Sequence, residues 1–134
     1  MNNVKGHIEN IEVNGGMSIV SVRAKGNVSM KAIVLENPHT VAYLKKGNAI
    51  SLLFKETEVV LGRGDMGQIS LQNRIMGTID HIEEGPLLAK VTIATLAGRL
   101  VSIISAQASN ELGLKEGISV TAMVKLNEVM LQEL

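Results

Sequence analysis

The chain has no cysteine and no tryptophan, and only one tyrosine, one phenylalanine and two prolines among 134 residues. Without cysteine there are no disulfides and no thiolate metal sites, and the redox compartment stays open. With Tyr43 and Phe54 as the only aromatics, the chain lacks the stacking platform on which single-stranded nucleic acid is held. An excess of one charge is missing too. Thirteen Lys and Arg balance thirteen Asp and Glu, so there is no polybasic footprint for nucleic acid or an anionic membrane, and any anion site must be local. No apolar run reaches membrane-spanning length, and Met1 to Gly6 carries no apolar stretch behind a basic one, so it does not read as a signal peptide. A soluble, cytoplasmic chain is expected.

Catalytic signatures are equally scarce. No G-x-S-x-G or H-E-x-x-H occurs, and His7, His39 and His81 are scattered with no i,i+4 pair, so neither a catalytic residue nor a bound metal cation is expected. Glu83 and Glu84 fall in a turn, where paired carboxylates are simply solvated. Gly62, Gly64 and Gly67 spell G-x-G-x-x-G, but a dinucleotide fingerprint must open a helix, and here a strand follows. Arg63-Gly64-Asp65 spells an adhesion tripeptide with nothing beside it to suggest secretion.

What is present is a repeat. Met30 to Leu61 slides onto Leu100 to Leu131 without a gap, matching Ile33 to Ile103, Leu44-Lys45 to Leu114-Lys115, Gly47 to Gly117, Lys55 to Lys125 and Glu58-Val59 to Glu128-Val129. The division expected is a first unit over residues 1–62, a linker over 63–68 that is glycine-rich and therefore flexible, and a second unit over 69–134. Units this short bury only about 60% of their unfolded surface, so the copies should pack on each other or on further subunits.

Each unit reads as β-β-β-α-β-β. In the first, Val4 to Val13 is a strand ending in the turn Asn14-Gly15-Gly16, Met17 to Ala24 returns, and Val28, Met30 and Ala32 alternate with polar residues as a third strand. Asn37-Pro38 looks like a helix start, so Pro38 to Lys45 is expected to be a short helix closed by Gly47, with strands over Ala49 to Lys55 and Glu58 to Leu61. In the second, Ile75 to Ile82, Leu87 to Thr95 and Leu100 to Ile104 are strands, and Ser105 caps a helix over Ala106 to Leu112 stopped by Gly113. Ile118, Val120, Ala122 and Val124 form the apolar face of the next strand, opposite Ser119, Thr121, Met123 and Lys125. The fold class expected is all-β: two tandem OB-like five-stranded barrels, each with one short helix.

A few donors recur at special places. Ser105 begins a helix, where backbone N–H groups attract anions. Lys125 leaves the fourth strand of its copy, as Lys55 does in the first, and Ser70, Gln72, Asn73 and Arg74 precede the second unit's first strand. Spacing alone leaves two readings open: Ser105 caps its helix while the lysines solvate a barrel mouth, or these groups hold an anion.

The same residues carry a family resemblance. Asn110-Glu111-Leu112-Gly113-Leu114-Lys115-Glu116-Gly117, followed by Val120 to Lys125 and Glu128-Val129, resembles the Mop domain, a molybdate-binding domain of TOBE type. Ser70-Leu71-Gln72-Asn73-Arg74-Ile75-Met76-Gly77 is similar to that family's opening Ser-Ala-Arg-Asn-Gln-x-x-Gly. The likeness runs through the chain as a tandem pair, as in molbindins and in the sensor half of molybdate-responsive regulators. It implies an OB-like barrel that binds molybdate or tungstate between units, in a dimer or trimer, for intracellular storage or sensing. Carried over by position, the oxyanion contacts are Ser70, Ser105 and Lys125, with Lys55 from the first copy; Gln72 at the arginine position, Asn73 and Arg74 after it, and Ser109 next to the second helix-start position complete the expected set. The family's arginine falls on Gln72 and its second helix-start hydroxyl on Ala108, while the first copy has Leu35 and Pro38 at the helix start and Met1 at the arginine position. These departures point to the alternative, a dimerisation or regulatory module of a transcription regulator or transporter ATPase whose oxyanion site has decayed.

Overall fold

The computed structural model describes residues 1–134. The first strand, β1 (Asn2–Asn14), shows why this sequence makes sheets: Asn2, Val4, Gly6 and Ile8 are buried, and Asn3, Lys5 and His7 between them are exposed. A side-chain period of two on a half-buried strand produces that alternation. Asn14 pairs with Met17 across Gly15-Gly16, and the chain returns through β2 (Met17–Ala24) into β3 (Val28–Val34). The second copy repeats this as β6 (Asn73–Glu84), β7 (Leu88–Thr95) and β8 (Gly98–Ser105). Each copy carries a bulge at the same point of its first strand, between Ile8 and Asn10 and between Ile79 and His81. The copies differ by one residue at the turn into the third strand: Lys25-Gly26-Asn27 stands where the second copy has only Leu96-Ala97.

The remaining strands are β4 (Ala49–Phe54), β5 (Val60–Gly62), β9 (Ser119–Val124) and β10 (Met130–Glu133). Their pairing joins the copies. One sheet runs β10-β4-β1-β2-β3 and the other β5-β9-β6-β7-β8, so the last strand of each copy completes the sheet of its twin. Met130 lies opposite Leu53, and Val60 opposite Met123. This exchange explains why Met123, expected on a polar face, is buried: β5 from the first copy runs beside it. A single cluster of 24 buried residues, from Val4 to Val129, spans both sheets. No helix is long and apolar enough to cross a membrane.

Two local expectations need correction. Helix α1 (Ala106–Glu111) forms in the second copy, with Ser105 as cap and Gly113 at φ 62 just beyond it, but Pro38 to Lys45 is a run of turns. Asn37 starts one turn, its carbonyl accepting from Thr40 and Val41 and its side chain from His39 N–H. The β-branched Thr40-Val41 pair then offers little helix propensity, unlike Ala106-Gln107-Ala108. The Tyr43 carbonyl accepts from the Asn48 side chain and its hydroxyl donates to Glu36, so that segment is held away from a helix. The linker, read as flexible, is fastened at its start, where Arg63 donates to the Leu112 carbonyl at the end of α1, and beyond it Arg74 donates to the carbonyls of Ile69 and Leu71, between the linker and β6.

Candidate functional site

Two groups of polar residues stand out, and topology separates them. The first lies where the linker enters β6. Asn73 pairs with Val124 at the end of the ladder, so Gln72 and Lys125, the next residue on each chain segment, leave the sheet at the same end, both exposed, with Ser70 two residues before Gln72. The second lies at the opposite end of the sheet. Ser105 pairs with Leu88 beside the β6–β7 hairpin, and roughly 35 Å of strand contour separates that end of β6 from Asn73, at about 3.3 Å per residue.

Within the first group the residues do different work. Asn73 is buried, and its carboxamide acts as a substitute peptide group: Oδ1 accepts from Lys31 N–H at 2.7 Å and Nδ2 donates to the Lys31 carbonyl at 2.8 Å. The first copy does the same in reverse. Asn2 pairs with Val101 N–H and C=O at 2.8 and 2.9 Å, so each copy's first strand is laced to the third strand of the other. Arg74 spends its guanidinium on the Ile69 and Leu71 carbonyls at 2.7 Å. Ser70, Gln72 and Lys125 are left as outward-facing donors. The turn over Leu126–Glu128, directly after Lys125, packs on β3, whose last residues Ile33 and Val34, with Leu35 after them, line an open groove of about 420 Å³ together with Val129, Met130 and Leu131.

In the second group, Ser105 Oγ accepts from Ala108 N–H at 3.0 Å and keeps its own proton to donate outward. Ser109 is buried, and its hydroxyl donates to Glu84 at 3.4 Å, toward negative charge. The strand leading into Ser105 packs against the turn Glu56–Glu58 of the first copy, the turn that follows Lys55, and Ser102 Oγ donates to the Val59 carbonyl at 2.7 Å. Lys55 therefore belongs to the turn packed on the Ser105 strand, and Lys125 to the turn packed on β3. Beside Lys55, a hydrogen bond from the Met1 ammonium at 2.8 Å holds the Glu56 carboxyl below its usual range. Near the end of β3, burial first and then the hydrogen bond to Glu36 push the Tyr43 hydroxyl up to about 12.

The paired asparagines were the feature least accessible to sequence reasoning. Asn2 and Asn73 sit at equivalent strand starts, but the shift that aligns them is offset by the extra residue in the first copy's turn, so the gapless repeat hides the match.

Comparison with known proteins adds to this geometry. The TOBE domain family matches residues 69–131. Molybdenum-pterin-binding protein 2 of Clostridium pasteurianum is 38% identical over 64 residues, 47% of this chain and 94% of that protein. Molybdenum transport protein ModE of Azotobacter vinelandii is 26% identical over 131 residues, 97% of this chain, and the chain spans 48% of the length of that relative. A crystal structure of ModG, described as a cytoplasmic molybdate-binding protein and containing molybdate, superposes with a TM-score of 0.92 at 29% identity, covering 99% of this chain and 96% of ModG. These relatives are named for binding or transport, not for a catalysed reaction.

Proposed function

This chain belongs to the TOBE-domain family of molybdenum-binding proteins in its tandem form, and from that premise we propose that it binds molybdate or tungstate without catalysing a reaction, as an intracellular store or sensor. The observation that carries the proposal is the agreement of the whole two-copy fold with ModG, a protein whose crystal structure contains molybdate. The donor chemistry supports it. Molybdate is a dianion at neutral pH and accepts hydrogen bonds at every oxygen, so it needs a shell of pure donors, which hydroxyl, amide and ammonium groups supply.

The shell we propose draws on Ser70, Gln72 and Lys125 at one end of the second sheet, and on Ser105 with Lys55 at the other. Because these groups lie apart within one chain, we assign completion of each shell to a neighbouring subunit, and the protein to a cytoplasmic homo-oligomer with no nucleic-acid or membrane contact of its own. Asn73 and Arg74 act one step back, holding the strand and the segment 69–72 from which Ser70 and Gln72 project.

A second reading, a dimerisation or regulatory module with a decayed site, is favoured by the commitment of Arg74 to the Ile69 and Leu71 carbonyls, which leaves no arginine near Gln72 to replace the family's own. Thermal melting separates the two. A ligand bound only by the folded assembly stabilises it by about 2.7 kcal/mol at a hundredfold excess over Kd, so the melting temperature should rise with molybdate or tungstate. An equal rise with sulfate at matched ionic strength, or no rise at all, would favour the decayed module.

A further inference from the structure

The two copies share a backbone, so a set of positions at which they diverge together marks a surface that one copy has specialised. Such a set lies on the outer face of the first sheet. Lys5 and His7 project from β1, Arg23 stands directly opposite His7 on β2, and Lys25 follows Ala24, the partner of Gly6. In the second copy the equivalent positions are Met76, Thr78, Ala94 and Leu96, with no charge among them. Met76 and Leu96 are 77% and 74% exposed, so nothing in the fold calls for a cation at either position.

The four basic side chains line an open groove of about 330 Å³, whose remaining lining is Gly6, Ala24, Ala49 and Leu134. Arg23 shares its guanidinium with Glu9 and the Asn27 carbonyl. Lys5 and Lys25 form no ion pair in the chain, whose four pairs lie elsewhere or on Arg23. A further polar group lies buried beneath this face, outside the groove's lining. Ser51, opposite Lys5 on β4 and two residues from the groove-lining Ala49, is 1% exposed and has a hydroxyl with no hydrogen-bond partner.

We propose that this groove binds an anion with two adjacent charged groups, of the diphosphate class, separately from the oxyanion contacts described above. The class follows from spacing. Lys5 and His7 are two residues apart on one strand, about 7 Å; His7 faces Arg23 across the ladder at about 5 Å, and Lys25 opens the turn Lys25–Asn27 just beyond Ala24, on the side of Lys5. A single tetrahedral oxyanion meets one edge of that cluster, whereas two linked phosphoryl groups span it and present Lys5, Lys25 and Arg23 with oxygens of their own, with the His7 imidazole beside them. Arginine and lysine are the side chains that hold phosphoryl oxygens, the first through its planar fork and the second as a point charge.

The fold itself supplies the test variant. Lys5→Met with Lys25→Leu installs the residues that the second copy carries at the same positions, so folding should survive. Calorimetric titration of the full chain with inorganic diphosphate, ADP, orthophosphate and molybdate measures the site. Diphosphate should bind about tenfold or more tightly than orthophosphate, the double variant should lose about tenfold or more of that affinity, and molybdate binding should be unchanged in it. Binding of ADP as tight as that of diphosphate assigns the groove to the diphosphate of a nucleotide, and diphosphate binding without ADP binding assigns it to the inorganic anion. Equal affinity for diphosphate and orthophosphate, or a double variant that binds diphosphate like the parent, would overturn the proposal. A parent chain that binds diphosphate but not molybdate would leave this site standing and count against the oxyanion reading instead, whereas a double variant that loses molybdate binding would overturn the separation of the two sites.

Discussion

At the scale of single residues, the asparagine side chains at the starts of β1 and β6 act as substitute peptide groups, each giving and taking one hydrogen bond with the third strand of the other copy. Asn73→Leu would leave the Lys31 N–H and C=O without partners beside a buried side chain, at about 1 to 3 kcal/mol for each orphaned group. Urea denaturation should show a midpoint lowered accordingly, and an unchanged midpoint would deny the pair its role. From sequence, Asn73 reads as an oxyanion contact, because a carboxamide in the family's opening motif looks the same whether it faces a ligand or a backbone. Tyr43 offers a second test at this scale, since it is the only tyrosine and its ionisation can be followed by absorbance without interference. Its folded pKa, about 12, lies above the ordinary value of 10. The neutral phenol is therefore the form that the fold favours: its contribution is complete below about pH 10 and is lost as pH rises through about 12. A tyrosinate midpoint near 12, moving down in Glu36→Gln, is expected; a midpoint near 10 in the parent would show that the Tyr43–Glu36 contact does not form.

At the scale of elements, the hairpins, the second copy's helix and its glycine stop are legible in the sequence because each is a local signal: Gly15-Gly16 after Asn14, Ser105 before Ala106, Gly113 after Leu112. The strand exchange is not. Val60-Leu61-Gly62 and Met130-Leu131-Gln132 occupy matching places in the repeat, and either would fit its own sheet or its twin's, so periodicity cannot choose between partners. The missing first helix fails for a different reason, since the Asn37-Pro38 start is genuine but tertiary ties at Tyr43 override its continuation. Exchange makes a definite prediction. A protease site engineered between Gly64 and Gly67 should yield, after cleavage, two fragments that co-elute and melt in one transition, because β5 and β10 each remain in the other fragment's sheet. Fragments that separate into folded monomers would refute the pairing. The glycines facing β2 and β7 are equally specific: a Cβ at Gly77 would lie 2.6 Å from the Ala94 carbonyl oxygen, as one at Gly6 would lie 2.5 Å from that of Arg23. Gly77→Ala should cost about 1 to 3 kcal/mol by overpacking, seen as a lower denaturation midpoint.

At the scale of the whole molecule, the exchange produces one shared core with donor groups displayed at separated ends, and places the turn after Lys55 against the strand that carries Ser105. From sequence most donors come from the second copy; we propose that Lys55, just before the turn packed on β8, joins Ser105. Loss of a charged donor from an oxyanion shell removes about 1.5 to 3 kcal/mol, so Lys125→Ala should weaken molybdate binding by about ten- to a hundredfold. Lys55→Ala and Ser105→Ala should act on the same subset of bound ions as each other, which stoichiometry from the same titrations would report. The central claim, selective oxyanion binding by the tandem fold, is tested most directly by equilibrium dialysis of the full chain against molybdate with a large excess of sulfate and phosphate, counting molybdenum retained per chain. Saturable retention that tungstate displaces and that sulfate and phosphate do not is the predicted result; retention that never saturates, or that sulfate displaces as readily as tungstate, would contradict it.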